Sequence, residues 1–406
     1  MISSKLTGEA VAFNVTAFAP ISNTNMDTST TETDFQITYN VGGLFSNLFV
    51  FVFANTIATS ATTVNTRKNA TSDGTCQVSI AAGATGIFED IINTDTVTSG
   101  DEWCYEITTP NTSGSITFLN ISIIFAATTN TYELMSAISV GQPYTDATVY
   151  YQFFIGSLGT NTTETSSQQD FLSAGTLKHG YCVVTANTVS NTYSIKTRKN
   201  AVSDGNIAIS ITADSTGTFE DTSNTDIVAD GDDWCWTIPP PTEAGTNTTT
   251  ITMLSIGFET TNSQHILSGM STSFIVSFNL TRYLACSGPL TTNSTETRAQ
   301  TTSRLSNAVA KELQIEITAN TIATDASTLT FRQNETTDTL TVSIAAGATG
   351  VMSTTGTTTI ASTDEINYKL VTPNTSGSLT IQQLSSLIDC TAAAAGFVHS
   401  YGVIIA

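Results

Sequence analysis

Residues 65–74 read Asn-Thr-Arg-Lys-Asn-Ala-Thr-Ser-Asp-Gly, and the fold follows from the recurrence of this motif. It returns as Lys-Thr-Arg-Lys-Asn at 196–200 with Ser-Asp-Gly at 203–205, and in weaker form as Thr-Phe-Arg-Gln-Asn at 330–334. Two other signatures keep the same register. The glutamate of Thr-Glu-Thr and the asparagine of Ala-Asn-Thr recur at spacings of 132 and 132, and of 132 and 133 residues, at Glu32, Glu164 and Glu296, and at Asn55, Asn187 and Asn320.

A repeat of this length is a whole domain, because solenoid units are much shorter. The sequence therefore predicts a string of three like modules. The predicted boundaries are residues 1–130 for module 1 with a bridging strand at 131–140, residues 141–263 for module 2 with a bridging strand at 264–272, and residues 273–390 for module 3, followed by a C-terminal strand at 391–406.

The composition excludes several partners. Thirteen Lys and Arg stand against 34 Asp and Glu, which gives a formal net charge of −21. Nucleic acids and anionic membranes are not expected partners, because neutralising phosphates requires basic clusters. Only 12% of residues are charged while 40% are apolar, so the chain is typical of a folded, Thr- and Ser-rich protein rather than a disordered one. Such surfaces are common outside cells.

Short apolar runs divided by Gly, Asn, Asp and Pro predict an all-β fold of three tandem antiparallel β-sandwich modules. The longest apolar run, Leu48–Ala54, is about a third of the roughly 20 residues that a membrane-spanning helix needs, so it is expected to be a buried strand. The segment Arg304–Leu313 is the one weak helix candidate. No secretory signal is visible at the start of the sequence.

The motifs resemble those of jelly-roll modules in extracellular and phage-like fibres. The resemblance rests on Arg-Lys-Asn, on Val-Ser-Ile-Ala-Ala-Gly at 78–83 and on Gly-Asp at 100–101, and it covers nearly the whole chain three times. Tandem jelly rolls with many glycans also resemble the glycosylated fibrils of freshwater samples, which assemble head to tail. Module 3 departs from the pattern, with Gln333 in place of the lysine and Thr363 in place of the glycine.

The ends of the modules predict a mode of assembly. Modules 2 and 3 are preceded by strand-like bridges, whereas module 1 has only the polar residues 1–8. A free apolar strand and a sandwich short of a strand are both liabilities, and strand donation between subunits solves both. The alternative is that the last strand completes module 3 of its own chain. The predicted assembly strand comprises Val398, Tyr401, Val403, Ile404 and Ile405.

The cysteines divide evenly among the modules, which predicts one disulfide in each and an oxidising compartment. Buried thiols are the main alternative, and metal binding is disfavoured because no Cys-x-x-Cys pair occurs. The six disulfide candidates are Cys76, Cys104, Cys182, Cys235, Cys286 and Cys390.

Ten Asn-x-Ser/Thr sites are candidates for N-glycosylation. In a chain so rich in Ser and Thr their number alone proves nothing, but several fall at equivalent loop positions, where a glycan does not disturb a core. The candidates are Asn14, Asn69, Asn111, Asn120, Asn161, Asn247, Asn279, Asn293, Asn334 and Asn374.

No catalytic motif is present in the sequence, so an enzyme is not expected. The acidic turns around Asp90 and Asp221 could hold calcium, since oxygen ligands suit that ion, but solvated acidic turns are favoured because no calcium-loop spacing occurs. We therefore expect no metal or cofactor apart from covalent glycans. A lysine crosslink at Lys68 and Lys199 is disfavoured because Gln333 replaces the lysine in module 3.

The sequence favours a structural, extracellular subunit that binds copies of itself head to tail in a filament. The rival hypothesis is a carbohydrate-binding adhesin or a phage-type receptor-binding fibre, in which Trp103, Trp234 and Trp236 would face sugar rings.

Overall fold

The structure is a computed structural model. It describes residues 2–4, 9–21, 28–39, 41–128, 132–145, 148–239, 247–262, 264–286, 288–290, 292–296, 301–302, 308–361 and 364–390.

Strands fill most of the described residues, and they fall into three successive sets. Module 1 contains β1 (Ile2–Ser4), β2 (Glu9–Ala12), β3 (Thr16–Pro20), β4 (Ile37–Tyr39), β5 (Gly43–Asn55), β6 (Thr62–Lys68), β7 (Ser72–Ile80), β8 (Gly86–Val97), β9 (Asp101–Thr108) and β10 (Ser115–Ala127). Module 2 contains β11 (Tyr132–Thr145), β12 (Tyr150–Gln152), β13 (Gly156–Ser157), β14 (Gln169–Asp170), β15 (Gly175–Asn187), β16 (Tyr193–Lys199), β17 (Ser203–Ile211), β18 (Gly217–Val228), β19 (Asp233–Ile238) and β20 (Thr248–Thr260). Module 3 contains β21 (Gln264–Ser277), β22 (Thr281–Leu284), β23 (Gly288–Pro289), β24 (Thr301–Thr302), β25 (Ala308–Asn320), β26 (Ser327–Gln333), β27 (Thr337–Ile344), β28 (Gly350–Ile360), β29 (Glu365–Val371) and β30 (Ser378–Asp389).

Each module is a jelly roll, as its strand order shows. In module 2 the last strand, β20, lies between the first, β11, and β15, and β18 closes that sheet. The facing sheet has the order β12-β19-β16-β17, with β14 also on β19. The chain thus alternates between two antiparallel sheets, and its first strand pairs with its last, which is the jelly-roll arrangement. Modules 1 and 3 repeat this order, so the predicted fold class is confirmed.

Module 1 has its own first strand, so the prediction that it lacks one is wrong. Ile2 pairs with Ile123 and Glu9 with Phe118, so the first strand contains two more residues than the stretch of β10 that it pairs with. The first strand of module 2 has the same two-residue insertion relative to β20, between Ile138 and Gln142. The polar sequence at 1–8 lacks the apolar run of the other two bridges, so it predicted no strand, and the strand is recognised only by its backbone pairing with β10. The predicted bridging strands are the first strands of the modules that follow them, since β11 pairs with β20 and β21 with β30.

No α-helix occurs among the described residues. Residues 308–313 of the helix candidate belong to β25, and the preceding 304–307 lie outside the described residues. Buried Ala308 and Ala310 alternate with the half-buried Val309 and Lys311, which suits a strand with one face on the core. Two short 3-10 turns, Glu32–Asp34 and Glu164–Ser166, precede β4 and β14. Within the part of the chain that the structure describes, no helix is long and apolar enough to cross a membrane.

Each module buries its own core between its two sheets. In module 1, Trp103 meets Phe45 edge to face with 5.1 Å between ring centroids, and Tyr39 packs on the same Phe45 ring at 5.1 Å. In module 2, Trp236 and Phe154 form another edge-to-face contact, with 5.4 Å between ring centroids. Such aromatic pairs add to the hydrophobic stabilisation from burying the rings.

The three modules close on one another instead of forming the predicted string. Tyr181 and Met253 of module 2 pack in the core of module 1, and Leu387 of module 3 packs in that of module 2. Ile124 of module 1 packs in turn in the core of module 3. Ile124 and Leu387 occupy equivalent places on β10 and β30. Each precedes the residue that pairs with the early part of β5 or β25, Phe125 with Phe45 and Ile388 with Ala310. The contacts therefore run around a closed ring with approximate threefold repetition.

Closure explains why β20 and β30 are buried on both faces. One face of each strand covers its own sandwich, and the other meets the next module. Gln383 on β30 accepts a hydrogen bond from the Asp170 backbone N–H at 3.0 Å and donates to the Asp170 carbonyl at 3.1 Å. Gln382 donates to the Thr165 carbonyl at 2.7 Å. A strand of this kind shows no polar alternation in its sequence, as is expected when both faces are covered.

Candidate assembly surface

The two repeated signatures meet in space, which the sequence did not reveal. The Arg67 Nε atom lies 3.1 Å from Glu32 Oε2, and the Arg198 Nε atom lies 2.7 Å from Glu164 Oε2. Arg332 pairs with Glu296 in the same way. The arginine comes from β6, β16 or β26. The glutamate comes from the loop that precedes β4, β14 or β24. The repeated charges therefore fasten that loop to the sheet and form no reactive site.

The lysine and asparagine that follow the arginine bind the turn that leads into β9. Lys68 Nζ lies 2.6 Å from Asp101 Oδ2 and over the Trp103 ring, 5.5 Å from its centroid. Asn69 Nδ2 donates to Asp101 Oδ1 at 3.3 Å. Burial alone would raise the pKa of Asp101, but the hydrogen bonds from Lys68, the Thr98 amide and Asn69 together lower it. An ionised carboxylate beside a charged lysine is an ion pair, and Lys199 repeats it with Asp232 at 2.6 Å.

The acidic turns considered for calcium are used by the protein itself. Asp90 accepts the backbone N–H groups of Gln77, Ile92 and Asn93 at 2.8, 3.2 and 3.1 Å. Asp95 accepts the Thr66 hydroxyl at 2.6 Å. Among the described residues, no group of three or more His, Cys, Asp or Glu side chains could hold a metal ion. These carboxylates replace missing backbone pairing where the strands separate.

The predicted disulfides do not form in this structure. All six cysteines lie among the described residues and are present as thiols. In module 1, Cys76 faces the core, whereas Cys104 lies 3.8 Å from Glu32 Oε1 on the other face of the sheet. In module 2, Cys182 faces the core, while Cys235 alternates with the core residues Trp234 and Trp236. Two sulfur atoms separated by a sheet cannot bond. In module 3, Cys286 and Cys390 both contact the core without a bond between them.

The glycosylation candidates differ sharply in exposure. Asn120 and Asn293 are buried, which argues against a glycan on either in the folded chain. Asn69 and Asn334 are exposed, but their side-chain amides donate to Asp101 and Asp364. Asn161 is half-buried and donates to Ser167. The remaining candidates are the half-buried Asn247 and the exposed Asn14, Asn111, Asn279 and Asn374.

The tryptophans proposed as sugar platforms are core residues. Trp103, Trp234 and Trp236 are all at least 98% buried. A ring in the core cannot stack on a carbohydrate, so this observation removes the main support for the adhesin hypothesis.

The edge strand β8 presents the most conspicuous apolar surface. It pairs with β5 on one side, and among the described residues no strand pairs with its other side. Ile87, Ile91 and Ile92 on this strand are 56, 67 and 86% exposed. Phe53 on the neighbouring β5 is also exposed and lies diagonally across from Ile87. We call Phe53, Ile87, Ile91 and Ile92 the β8 edge.

The corresponding edges of the other modules are more polar. Residues equivalent to the three isoleucines are Thr218, Thr222 and Ser223 on β18, which has the same length and begins at the equivalent glycine. One exposed aliphatic residue remains on each of the other edges, Ile227 on β18 and Val351 on β28. The β8 edge therefore breaks the approximate symmetry of the ring.

The predicted assembly strand, which comprises Val398, Tyr401, Val403, Ile404 and Ile405, lies outside the described residues. The last described residue is Cys390, directly after β30. The prediction has this strand complete module 1 of the next subunit, but β1 and β2 of the same chain occupy that position beside β10.

Comparison with known proteins identifies no family. No protein-family model and no curated protein sequence matches the chain. Among solved structures, it is similar to one described as the triple jelly roll fold and turret assembly in an archaeal virus, with 15% identity over 96% of this chain and 91% of that chain and a TM-score of 0.20. It is also similar to the atomic structure of Sulfolobus Turreted Icosahedral Virus, with 14% identity over 96% of both chains and a TM-score of 0.21. These scores are too low to say more about this chain than its own strand order says.

Proposed function

We propose that this protein is a non-enzymatic structural subunit that polymerises head to tail outside the cell through the β8 edge of module 1. The observation that carries the proposal is the row of exposed isoleucines along an edge strand of 12 residues. Monomeric proteins protect such edges with charges, prolines or covering loops. An edge strand that exposes three isoleucines, and that no other strand pairs with among the described residues, suits the addition of another strand.

The donor in this proposal is the C-terminal segment 391–406 of a neighbouring copy. Strand addition uses backbone hydrogen bonds for affinity and alternate side chains for specificity. Tyr401, Val403 and Ile405 alternate along one face of an extended chain, which would match apolar positions on β8. The segment after Asp389 carries no Asp or Glu side chain, so it adds no repulsion beside Glu89 and Asp90.

When two copies join through different surfaces, each added copy leaves a free surface for the next one. Such a contact builds an open filament unless the rotation between copies closes the assembly into a ring. Donor and acceptor here are different parts of the chain, so an open filament is the expected product. The net charge of −21 opposes association, and because salt screens exposed charges, assembly should strengthen with ionic strength.

Glycans are the second part of the proposal. Exposed sequons and few surface charges suit an exported protein that a sugar coat keeps dispersed. The exposed Asn111 and Asn374 lie in equivalent Pro-Asn-Thr-Ser-Gly turns, away from the β8 edge in sequence.

The test is electron microscopy of the full chain at physiological ionic strength, beside a chain ending at Cys390 and the variant Ile91→Lys/Ile92→Lys. We expect filaments from the full chain only. The matched control is Thr222→Lys/Ser223→Lys, which places the same charges at the equivalent exposed positions of module 2 and should still polymerise. Single particles from the full chain would refute the proposal and favour a monomeric binding protein. Filaments from the shortened chain would refute the donor while leaving the β8 edge as acceptor.

A further inference from the structure

Two turns in different modules carry the same unusual pair of residues. Phe13-Asn14 lies between β2 and β3, and Phe278-Asn279 lies between β21 and β22. Both phenylalanines are exposed, at 44 and 42%, and both asparagines have a left-handed backbone, with φ of 56° and 55°. A large apolar side chain and a strained asparagine, held side by side in solvent twice, require an explanation.

The turns are rigid. The Phe13 amide donates to the Gly114 carbonyl at 3.1 Å, and the Asn14 amide to the Pro110 carbonyl at 3.0 Å. The Thr109 hydroxyl closes the frame, since it accepts from the Val15 amide at 2.9 Å and donates to the Ala12 carbonyl at 2.7 Å.

Module 3 builds the same frame with its own residues. The Phe278 and Asn279 amides donate to the Gly377 and Pro373 carbonyls at 3.0 and 2.8 Å. The Thr372 hydroxyl accepts from the Leu280 amide at 2.9 Å. Each asparagine is thus held at a fixed place by bonds that do not involve its side chain.

Both turns are also glycosylation sequons, completed by the exposed Thr16 and Thr281. Within the described residues, neither the Asn14 nor the Asn279 side chain makes a hydrogen bond, in contrast to Asn69 and Asn334, which hold carboxylates. Modification of Asn14 or Asn279 therefore breaks no side-chain hydrogen bond among the described residues.

We propose that Asn14 and Asn279 carry N-linked glycans and that Phe13 and Phe278 are platforms for the first sugar of each. This inference rests on the proposed glycosylation and specifies its sites. In the modification, the asparagine Nδ2 bonds to the anomeric carbon of an oligosaccharide carried on a lipid diphosphate. The bond from that carbon to the diphosphate oxygen breaks, the lipid diphosphate leaves, and Nδ2 loses one proton.

The phenyl ring explains why a bulky residue is left in water beside the sequon. One face of a pyranose ring presents C–H groups, and an aromatic face packs favourably on them while burying its own apolar area. Without the sugar, the ring gains nothing from its exposure. With it, the glycan and the turn stabilise each other.

The test uses the full chain secreted from a eukaryotic host, with glycopeptide mass spectrometry and thermal unfolding before and after enzymatic removal of the glycans. The variants are Phe13→Ala and Phe278→Ala, with Asn14→Gln and Asn279→Gln to remove the sites. Val202→Ala is the control, because it trims an exposed apolar side chain that lies outside the β8 edge and has no sequon beside it.

We expect glycans at both sites and a melting temperature that falls by about 1–3 °C when the glycans are removed. That fall should be lost in the Phe13→Ala/Phe278→Ala chain and kept in Val202→Ala. Unmodified Asn14 and Asn279, or an equal fall with and without the two rings, would overturn the inference. Glycopeptide mass spectrometry does not depend on filament formation, so failure of this inference is distinguishable from failure of the assembly proposal.

Discussion

At the scale of single residues, the repeated motifs are structural. The glycine of Ser-Asp-Gly shows this most directly, because a Cβ on Gly205 would collide with Thr197 Oγ1 and Asp226 Oδ2. Gly74 meets Thr66 and Asp95 in the same way. The motif therefore repeats because a carboxylate crosses closely over the strand at that point, accepting the amides of Asn206 and, in module 1, of Thr75.

Gly205→Ala should lower the free energy of unfolding by about 2 kcal/mol or more, because the added methyl group displaces a buried hydrogen bond as well as overpacking the site. Gly159→Ala is the control, since a Cβ there meets nothing within 4 Å. Chemical denaturation of both variants measures the difference. Equal stabilities would show that the site can relax around a side chain.

At the scale of strands and sheets, alternation decides which side chains can meet. Residues such as Cys104 and Cys235 are adjacent in sequence to core tryptophans and therefore face away from the core. The sequence placed two cysteines in each module correctly. Which face each one occupies depends on strand register and bulges, which a count of cysteines does not contain.

The buried thiols give a prediction at this scale. Burial raises the pKa of Cys182, and burial with nearby carboxylates raises that of Cys104. For Cys390, burial raises the pKa to about 12. Thiolates are the reactive form, so we expect alkylation at neutral pH only after unfolding. Intact-mass spectrometry with and without denaturant tests this, and a melting temperature that falls on addition of reductant would contradict it.

At the scale of the whole molecule, the ring brings carboxylates from different modules together. Glu316 of module 3 faces Asp233 and Asp170 of module 2, with Glu312 and Asp230 nearby. Burial, followed by repulsion from Asp233 and Asp170, raises the pKa of Glu316 to about 7. Burial and the charges of Asp170 and Asp232 raise the pKa of Asp233 to about 6.

A pKa that is higher in the folded than in the unfolded chain makes a contribution that is present at low pH and lost as pH rises through the folded value. We therefore expect the melting temperature to fall between pH 5 and pH 8, and about 1–2 kcal/mol of this dependence to disappear in Glu316→Gln. Asp325→Asn, at an exposed position just before β26, is the control. A wild-type stability that is flat or rises over this range would contradict the assignment.

The sequence by itself determined the number of modules, their β class and the residues of the repeated motifs, because these follow from local pattern and spacing. It also placed Asn111 and Asn374 in equivalent turns, whereas it put Asn14 and Asn279 at the starts of strands and the structure places them in the turns before β3 and β22. It did not pair Arg67 with Glu32, because 35 residues separate them and only the folded sheet brings the loop over the strand.

Only the tertiary structure decided that the modules form a closed ring, that β1 and β2 complete module 1, and that the cysteines lie on different faces. It also decided that the open apolar edge is β8. An isoleucine in a β8-like pattern has the same local sequence whether it faces a core, a neighbouring module or water. The difference is set by which sheets pack together, and packing between residues hundreds of positions apart leaves no local signature in the chain.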